Sequence, residues 1–347
     1  APLLLINQYA VAPSAGHVQA ALASGVWVAY VATSANGDSM LYVTSRSSRH
    51  TLALLPAPQS TRITLSGMSD QWVIWQSGAN LAAGPWTLLA SRLPASATGA
   101  DAAQSAPVVL ASNADSAAQT PAVLNGLWIE HDTALVALST HGPGGEILRL
   151  DLFADQGTPV SRVIARTALR GHALTDPSVS GTTYYWAEVW LDSANALHGD
   201  VWRGNGISQP LKVTQTGLAF APRTTAQTLI WTQTSAAVPL DTTALTTEPA
   251  QVIQSALDLL GGTIQSRNLT GGGDRELAAH GGASSLQVSG TVLVWRDSGE
   301  FHTFDLSRNG PSTIEGQIRD ATYAGATGTS LVWGQSSSAT INVFDHD

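Results

Sequence analysis

The sequence predicts an all-β fold: a seven-bladed β-propeller of four-stranded antiparallel blades, in which the N-terminal strand closes the last blade. Three observations lead to this prediction. Seven short apolar runs recur along the 347 residues at intervals of about fifty, and most of them end in an aromatic residue. Further strand-forming segments and turn residues follow each run. Strand-like segments at the two ends of the chain fit no complete unit, and repeats of this length are typical of radial β-architecture.

The apolar runs predict strands that are buried on both faces. A blade lies between two neighbouring blades, so its middle strands meet no water and are continuously apolar. The runs span residues 27–30, 72–75, 127–130, 184–186, 229–231, 293–295 and 331–333. We expect the aromatic residue of a run to fill the wedge between blades and therefore to be structural. The predicted structural residues are Tyr30, Trp75, Trp186, Trp231, Trp295 and Trp333.

The third unit allows two interpretations. Residues 127–130 can form the buried second strand, with Glu130 in the place of the aromatic residue and residues 147–152 as the next strand. Alternatively, residues 134–138 form the second strand and residues 127–130 the inner one. Both interpretations keep seven blades, whereas a misread insertion would change the number to six or eight.

The clearest unit lies between residues 285 and 319. Because similar units recur along the whole chain, we expect one propeller domain. The predicted blades comprise residues 12–56, 57–111, 118–168, 174–216, 218–272, 284–319, and 320–347 together with 2–10. The segment 2–10 supplies the outer strand that the last blade lacks, which removes an open sheet edge. Residues 252–260 are interpreted as a strand despite a helical spacing of apolar residues, and residues 271–282 as a glycine-rich loop.

The composition narrows the classes of function. The chain has no cysteine, which rules out disulfides and thiolate-bound metals. A net charge of −9 argues against nucleic acid as a partner, and no apolar stretch reaches the roughly 18 residues of a membrane span. Charged residues make up only 12% of the chain. A surface rich in Ser, Thr and Gln favours a secreted or cell-surface protein, and it suits permanent contacts in a higher-order assembly.

The repeat resembles the TolB-like and WD40-like propeller domains of bacterial envelope and secreted proteins. The resemblance lies in residues 292–297 followed by 301–306, and in residues 331–335 followed by 341–345. The Ser-Pro-Asp-Gly turn that is frequent in that group is missing, and so are the Trp-Asp ends of WD40 repeats. The resemblance implies an interaction platform or ligand-binding disc of bacterial origin, without transferable catalytic residues.

Polar residues recur two positions beyond the last residue of the apolar runs. In a propeller these positions would share one rim, and three of them are Asp132, Glu188 and Asp297. Carboxylates about 5 to 9 Å apart suit glycoside hydrolysis, while Asp132 and Asp297 could instead hold a structural Ca²⁺. A plainer interpretation is that strand ends are polar because they meet water. The candidate ligand-binding residues are His131, Gln233 and Gln335.

The sequence therefore predicts a non-enzymatic recognition or assembly module that holds a protein partner or a polysaccharide on its loop face. It predicts no cofactor other than the Ca²⁺ considered above. The alternative is a propeller glycoside hydrolase or lyase that acts on extracellular polysaccharide through the rim carboxylates. A cytosolic scaffold is a third alternative. The sequence contains no hydrolase, metalloprotease, P-loop or dinucleotide motif that would favour another enzyme class.

Overall fold

A computed structural model describes most of the chain. The described residues are 6–11, 16–34, 36–49, 51–56, 61–78, 85–94, 106–113, 123–139, 144–152, 159–169, 171–240, 256–257, 260–282, 285–308, 310–311, 318 and 320–345. For residues 52–56 only the backbone is described. Within these ranges the chain forms seven sheets, each built on four strands.

The strands follow one another along the chain, with β1 (Ile6–Ala10) first. The first sheet contains β2 (His17–Ser24), β3 (Trp27–Thr33), β4 (Ser39–Ser45) and β5 (Thr51–Pro56). The second contains β6 (Arg62–Met68), β7 (Trp72–Gly78), β8 (Trp86–Arg92) and β9 (Val108–Ser112). The third contains β10 (Val123–Glu130), β11 (Thr133–Ser139), β12 (Gly145–Asp151) and β13 (Val160–Thr167). The fourth contains β14 (His172–Ser180), β15 (Thr183–Leu191), β16 (Ala196–Gly204) and β17 (Leu211–Lys212). The fifth contains β18 (Ala219–Thr224), β19 (Thr228–Gln233), β21 (Gly261–Asn268) and β22 (Arg275–Gly282), while β20 (Val238–Pro239) joins the fourth. The sixth contains β23 (Gln287–Ser289), β24 (Val292–Asp297), β25 (Glu300–Asp305) and β26 (Gly310–Pro311). The seventh contains β27 (Tyr323–Thr327), β28 (Ser330–Gly334), β29 (Thr340–Asp345) and β1.

The seven sheets form a closed ring around a central channel. The first strand of each sheet lines the channel and lies against the first strand of the next sheet. The series runs through β2, β6, β10, β14, β18, β23 and β27, and it returns from β27 to β2. The sheets are therefore blades one to seven, and the predicted seven-bladed propeller is confirmed.

The N-terminal strand closes the seventh blade, as predicted. β1 pairs antiparallel with β29 over its whole length and becomes the outer strand of that blade. Arg46 of blade one reinforces the closure, because its guanidinium donates to Asp345 of β29 and to the Tyr9 hydroxyl of β1. A further bond reaches the Gly25 carbonyl at 3.0 Å. The Arg46 side chain thus connects β1 and β29 of blade seven to blade one.

Apolar side chains between neighbouring blades form the core. In six blades an aromatic residue occupies the fourth position of the second strand, where it is buried. Each of these rings packs toward the preceding blade, as Trp75 does with Val31 and Leu41 of blade one. The six are Tyr30, Trp75, Trp186, Trp231, Trp295 and Trp333.

The third blade follows the second interpretation of its sequence. β10 is the inner strand and β11 the second, so Val136 occupies the fourth position of the second strand and Glu130 does not. A valine fills less of the wedge than an indole. Two indoles of blade two, Trp72 and Trp86, lie buried in one cluster with Val136 and Leu138. The large rings of this seam therefore come from the preceding blade.

An insertion between β19 and β21 is the largest departure from the four-strand unit. It leaves blade five and reaches blade four, where β20 pairs with β16 and the Leu240 N–H donates to the Asn195 carbonyl. Residues 256–257 then form a helical turn, and Ala256, Leu257 and Leu260 pack into the seam between blades four and five. The strand predicted over residues 252–260 is therefore wrong at 256–257, because these apolar residues cover a seam instead of entering a sheet.

The outer strands are short or bulged. Register shifts interrupt the pairing of β5, β9, β13 and β22, and β17 and β26 have two residues each. Such features hinder pairing of an open sheet edge with another chain. The glycine-rich loop predicted over residues 271–282 is wrong for residues 275–282, which form β22. The fifth blade therefore extends beyond its predicted end at residue 272. The prediction failed because glycines and bulges hide the strand pattern of β22.

We expect Arg46→Ala to lower the free energy of unfolding by about 1–2 kcal/mol, because its hydrogen bonds are lost and Asp345 loses its cation. Thermal unfolding of the full chain by calorimetry measures the change. Arg62→Ala removes an exposed arginine of β6 and is the matched control, with an expected change within about 0.5 kcal/mol. Equal stability of Arg46→Ala and the unmodified chain would contradict the role of Arg46 in closure.

Candidate functional site

The two faces of the ring carry different connections. Because neighbouring strands are antiparallel, the turns between first and second strands share one face, here named the AB face. The turns between second and third strands and the connections between blades lie on the opposite face, named the BC face. The insertion after β19 belongs to the BC face. The position of a residue along its strand therefore decides which face it can serve.

The predicted acidic rim does not form. Asp132 lies in the turn between β10 and β11 on the AB face, whereas Glu188 of β15 and Asp297 at the end of β24 lie toward the BC face. The prediction fails because the run that ends at Glu130 is an inner strand, so the position counted from it falls on the other face. Blade five also separates Glu188 from Asp297. The three carboxylates therefore do not share one catalytic or metal site.

Asp132 belongs to a contact between blades two and three. Its Oδ1 accepts a hydrogen bond from Trp72 Nε1 at 2.7 Å, and the residue is 8% exposed. The neighbouring His131 has a φ of +47° and pairs with Asp70 at 3.2 Å on the surface. Its carbonyl accepts a bond from Ser69 Oγ at 2.7 Å. These contacts join the AB turns of the two blades, and His131 lines neither of the two cavities described below.

Glu188 belongs to a polar cluster on blade four. Its Oε1 accepts a hydrogen bond from Thr167 Oγ1 of blade three at 3.2 Å and lies 2.9 Å from His172 Nδ1. His172 stacks on Trp190, and Trp190 stacks in turn on His198, with ring centroids 5.7 and 5.6 Å apart. The three rings are direct cross-strand neighbours on β14, β15 and β16. Sequence reasoning missed the cluster because only the register brings these rings together.

The turn after β15 is organised by its own carboxylate. Asp192 Oδ1 accepts hydrogen bonds from the N–H groups of Ala194 and Ala196, both at 2.9 Å, and Oδ2 lies 3.0 Å from His198 Nε2. The hydrogen bond from Ala196, followed by the one from His198, lowers the pKa of Asp192. This carboxylate therefore orders the turn and holds one ring of the stack.

A cleft of about 1140 Å³ opens on the BC face between blades five and six. Gln233 at the end of β19 and Asp297 at the end of β24 both line it, so two predicted site residues share this cleft. Gln335, which follows β28 on blade seven, does not line it. The cleft also has lining residues that sequence reasoning missed, among them His280, Gln287, Arg296 and Tyr323.

Glycines leave the space that becomes the cleft. At the BC end of blade five, Gly261 pairs with Gly282 and Gly262 with Gly281, so this part of the wall carries no side chains. A Cβ at Gly281 would lie 2.6 Å from Cδ1 of Ile264 in the same blade and 3.2 Å from Cδ1 of Trp295 in blade six, both closer than ordinary van der Waals contact. Glycine at this position therefore lets the two blades approach each other below the cleft.

A bulge in β22 shapes the outer wall. The register moves from Gly262 opposite Gly281 to Ile264 opposite Ala278, so β22 contains one extra residue in this step. Bulges of this kind redirect side chains and are frequent beside functional sites. The exposed His280 lies within the bulge and lines the cleft. The extra residue is not visible in the sequence, which reads as a glycine-rich loop.

Asp297 carries an uncompensated charge in the cleft. Its carboxylate is half-buried, and among the described residues its only hydrogen bond comes from Ser298 Oγ at 3.1 Å. Arg296 is engaged elsewhere, because its guanidinium lies 5.6 Å from the centre of the Phe301 ring and donates to the Gly299 carbonyl at 3.4 Å. The described part of the chain thus provides no ion pair for Asp297.

Two glutamines present amides with a fixed orientation. Gln233 Nε2 donates to Thr216 Oγ1 at 3.1 Å, and its Oε1 accepts from Trp231 Nε1 at 3.2 Å. Gln287 Oε1 accepts from the Ala326 N–H at 2.7 Å. The bond to Ala326 leaves the NH₂ group of Gln287 as a donor for a ligand in the cleft.

The cleft continues at its inner end into the central channel. The two cavities share Ala20, Gln287 and Ala324, and the channel has a volume of about 380 Å³. Tyr323 at this inner end is 5% exposed. Burial raises the pKa of Tyr323 far above its ordinary value, and the nearby Tyr30 raises it further. The phenol is therefore neutral over the whole physiological pH range.

Arg223 ties three blades together around the channel. It donates to Asp176 of blade four at 2.9 Å and to the carbonyl of Leu286, which precedes β23 of blade six, also at 2.9 Å. The side chains of Arg223 and Asp176 are 23% and 17% exposed. Asp176 lies within the bulge of β14 and has a φ of +50°, and Arg223 follows the bulge of β18. The main charges beside the channel therefore neutralise each other.

The described residues contain no group of three His, Asp or Glu side chains placed to hold a metal ion. Because Asp132 and Asp297 lie on opposite faces, one Ca²⁺ cannot bind both, and the expected Ca²⁺ stays a prediction. In the part of the chain that the structure covers, we find no helix that is long and apolar enough to cross a membrane.

No protein-family model and no curated protein sequence match the chain. Solved structures do. The β-propeller domain of the Trilobed protease from Pyrococcus furiosus has a TM-score of 0.57 and 8% identity, over 95% of this chain and 96% of that one. A puromycin-hydrolysing peptidase from Mycobacterium tuberculosis has a TM-score of 0.54 and 12% identity, over 97% of this chain and 56% of that one. TolB from Acinetobacter baumannii has a TM-score of 0.46 and 13% identity, over 92% and 79%.

At these identities the similarity establishes the fold and no activity. An open velcro topology is described for the Pyrococcus domain, whereas β1 pairs with β29 in this chain. The propeller fold that the predicted resemblance implies is confirmed by the seven blades themselves, and TolB is among the structures that the chain matches. The chain is a seven-bladed β-propeller, similar in architecture to these proteins.

We expect Asp132→Ala to lower the free energy of unfolding by about 1–3 kcal/mol, because the buried Trp72 N–H loses its acceptor. Asp70→Ala removes the exposed carboxylate from the same contact between turns and should cost less than about 1 kcal/mol. Denaturant unfolding followed by tryptophan fluorescence measures both. A greater loss for Asp70→Ala than for Asp132→Ala would show that Asp132 is not structural.

Proposed function

We propose that this protein is a non-catalytic recognition module that binds an extended segment of a protein partner in the cleft on its BC face. The observation that carries the proposal is the cleft itself, which has a volume of about 1140 Å³ and a lining that includes amides, hydroxyls and glycine backbone beside apolar side chains. Ligand pockets of proteins typically measure about 300–1,000 Å³. The cleft is therefore large enough for several residues of an extended peptide.

The lining groups suit a peptide backbone. An extended segment exposes N–H donors and C=O acceptors along its length, and amide and hydroxyl side chains can pair with both. Gln233 and Gln287 provide oriented amides, and Ser235 provides an exposed hydroxyl. These groups line a single cleft that also reaches the channel.

The hydrolase alternative has less support. Glycoside hydrolysis needs two carboxylates within roughly 10 Å of each other. Asp132 is on the AB face and bonded to Trp72, and Glu188 is bonded to Thr167 and His172. Asp297 is the one carboxylate of the three that lines the cleft. Among the described residues the cleft therefore has no second carboxylate for this mechanism, which supports binding better than glycoside hydrolysis.

A polysaccharide ligand also has less support than a peptide. Sugar rings commonly stack on open aromatic faces in binding sites. The aromatic residues that line the cleft are Phe301 and Tyr323, and they are only 7% and 5% exposed. Neither ring offers an open face on which a sugar could stack, and a polysaccharide is an outcome of the experiment below.

The proposal includes a secreted or cell-surface location in a bacterium and a lasting assembly with the partner. The low proportion of charged residues, 12%, supports both. Exposed apolar residues at the outer edge of blades three and four add to the support for assembly. They are Val160, Val163, Ile207 and Leu211, with exposures of 61%, 39%, 83% and 57%.

The test is selection of a displayed random dodecapeptide library on the intact protein, with a glycan array probed in parallel. We expect peptides to be enriched. We expect Ala279→Trp, which fills the cleft from the exposed wall of β22, to weaken their binding at least about tenfold. Thr182→Trp on the exposed AB turn of blade four is the control and should leave affinity unchanged. Peptides that bind Ala279→Trp as well as the unmodified chain, or glycans enriched in place of peptides, would refute the proposal.

A further inference from the structure

We infer that the cleft selects a segment that carries a positively charged side chain, arginine or lysine, and that Asp297 is the group that receives it. This inference rests on the proposed function and adds the chemistry of the ligand. It starts from Asp297, the one carboxylate among the described residues that line the cleft, which lies at the end of β24 beside the space left by the glycines of blade five.

The carboxylate has unused capacity for hydrogen bonds. An ionised carboxylate can accept about four hydrogen bonds, and Asp297 receives one, from Ser298. Removing a charged group partly from water is costly unless a partner replaces the water. A guanidinium or ammonium group in the cleft supplies the strong, charge-assisted hydrogen bonds that this half-buried carboxylate lacks among the described residues.

The basic residues that line the cleft do not fill this role. Arg296 is adjacent in sequence, but its guanidinium is held against the Phe301 ring and by the Gly299 carbonyl. His280 lies on β22, in the opposite wall. The net charge of −9 further favours approach of a basic partner over an acidic one.

The experiment uses the intact protein and N-acetylated, C-amidated hexapeptide libraries with one position fixed as arginine, lysine, citrulline, glutamine or glutamate. Citrulline keeps the shape of arginine without its charge, and the acetyl group removes the terminal amine as a source of cation. We expect the arginine and lysine libraries to bind about tenfold more tightly than the citrulline and glutamine libraries, and more tightly still than the glutamate library. Asp297→Asn should abolish this difference and leave binding of the neutral libraries unchanged.

Glu300→Gln is the matched control, because Glu300 is an exposed carboxylate directly across the same turn and does not line the cleft. It should retain the preference for basic libraries, and thermal unfolding verifies that both variants fold. Binding without charge preference, or a preference that survives in Asp297→Asn, overturns this inference and leaves the proposed function standing. Absence of binding by every library overturns both.

Discussion

The whole structure depends on one constraint: every sheet must bury both of its faces between two neighbours, in a wedge that widens away from the channel. A large ring at the fourth position of the second strand meets this requirement in six blades, and each ring packs toward the blade before it. Because the seams follow one another around a closed ring, a shortage of volume at one seam must be made up by the two blades that form it. The details of this fold, including those that resemble functional sites, follow from how each seam is filled.

The seam between blades two and three shows the consequence. Val136 provides too little volume, and Trp72 and Trp86 supply it from the other side. An indole that is buried at the start of a strand brings its N–H into the core, and the N–H requires an acceptor. Asp132 provides that acceptor. A carboxylate that the sequence presents as a candidate for catalysis or metal binding is thus explained by the replacement of one core tryptophan by valine.

The fold was predictable because the apolar runs report the double burial of second strands directly. The positions of Gln233 and Asp297 were predictable for the same reason, since both residues end second strands whose register the runs define. Their roles in binding stay predictions. Asp132 was misplaced because an inner strand can be as apolar as a second strand. His280 and the stack around Trp190 were not predictable, because a bulge and a cross-strand register, respectively, position them. Both depend on the exact register between neighbouring strands, which the residue pattern of a single strand does not specify.

The cleft arises where a seam is left unfilled at its BC end. In the seam between blades three and four, Glu188 and Thr167 bridge this end; in the next seam, Leu257 and Leu260 of the insertion cover it. Between blades five and six, paired glycines remove the side chains that would do so, while apolar packing around Trp295 holds the seam below. A ligand there would occupy space that the fold leaves open and would displace no core contact. Binding of this kind stabilises the folded ring by mass action, and it requires no rearrangement of the blades.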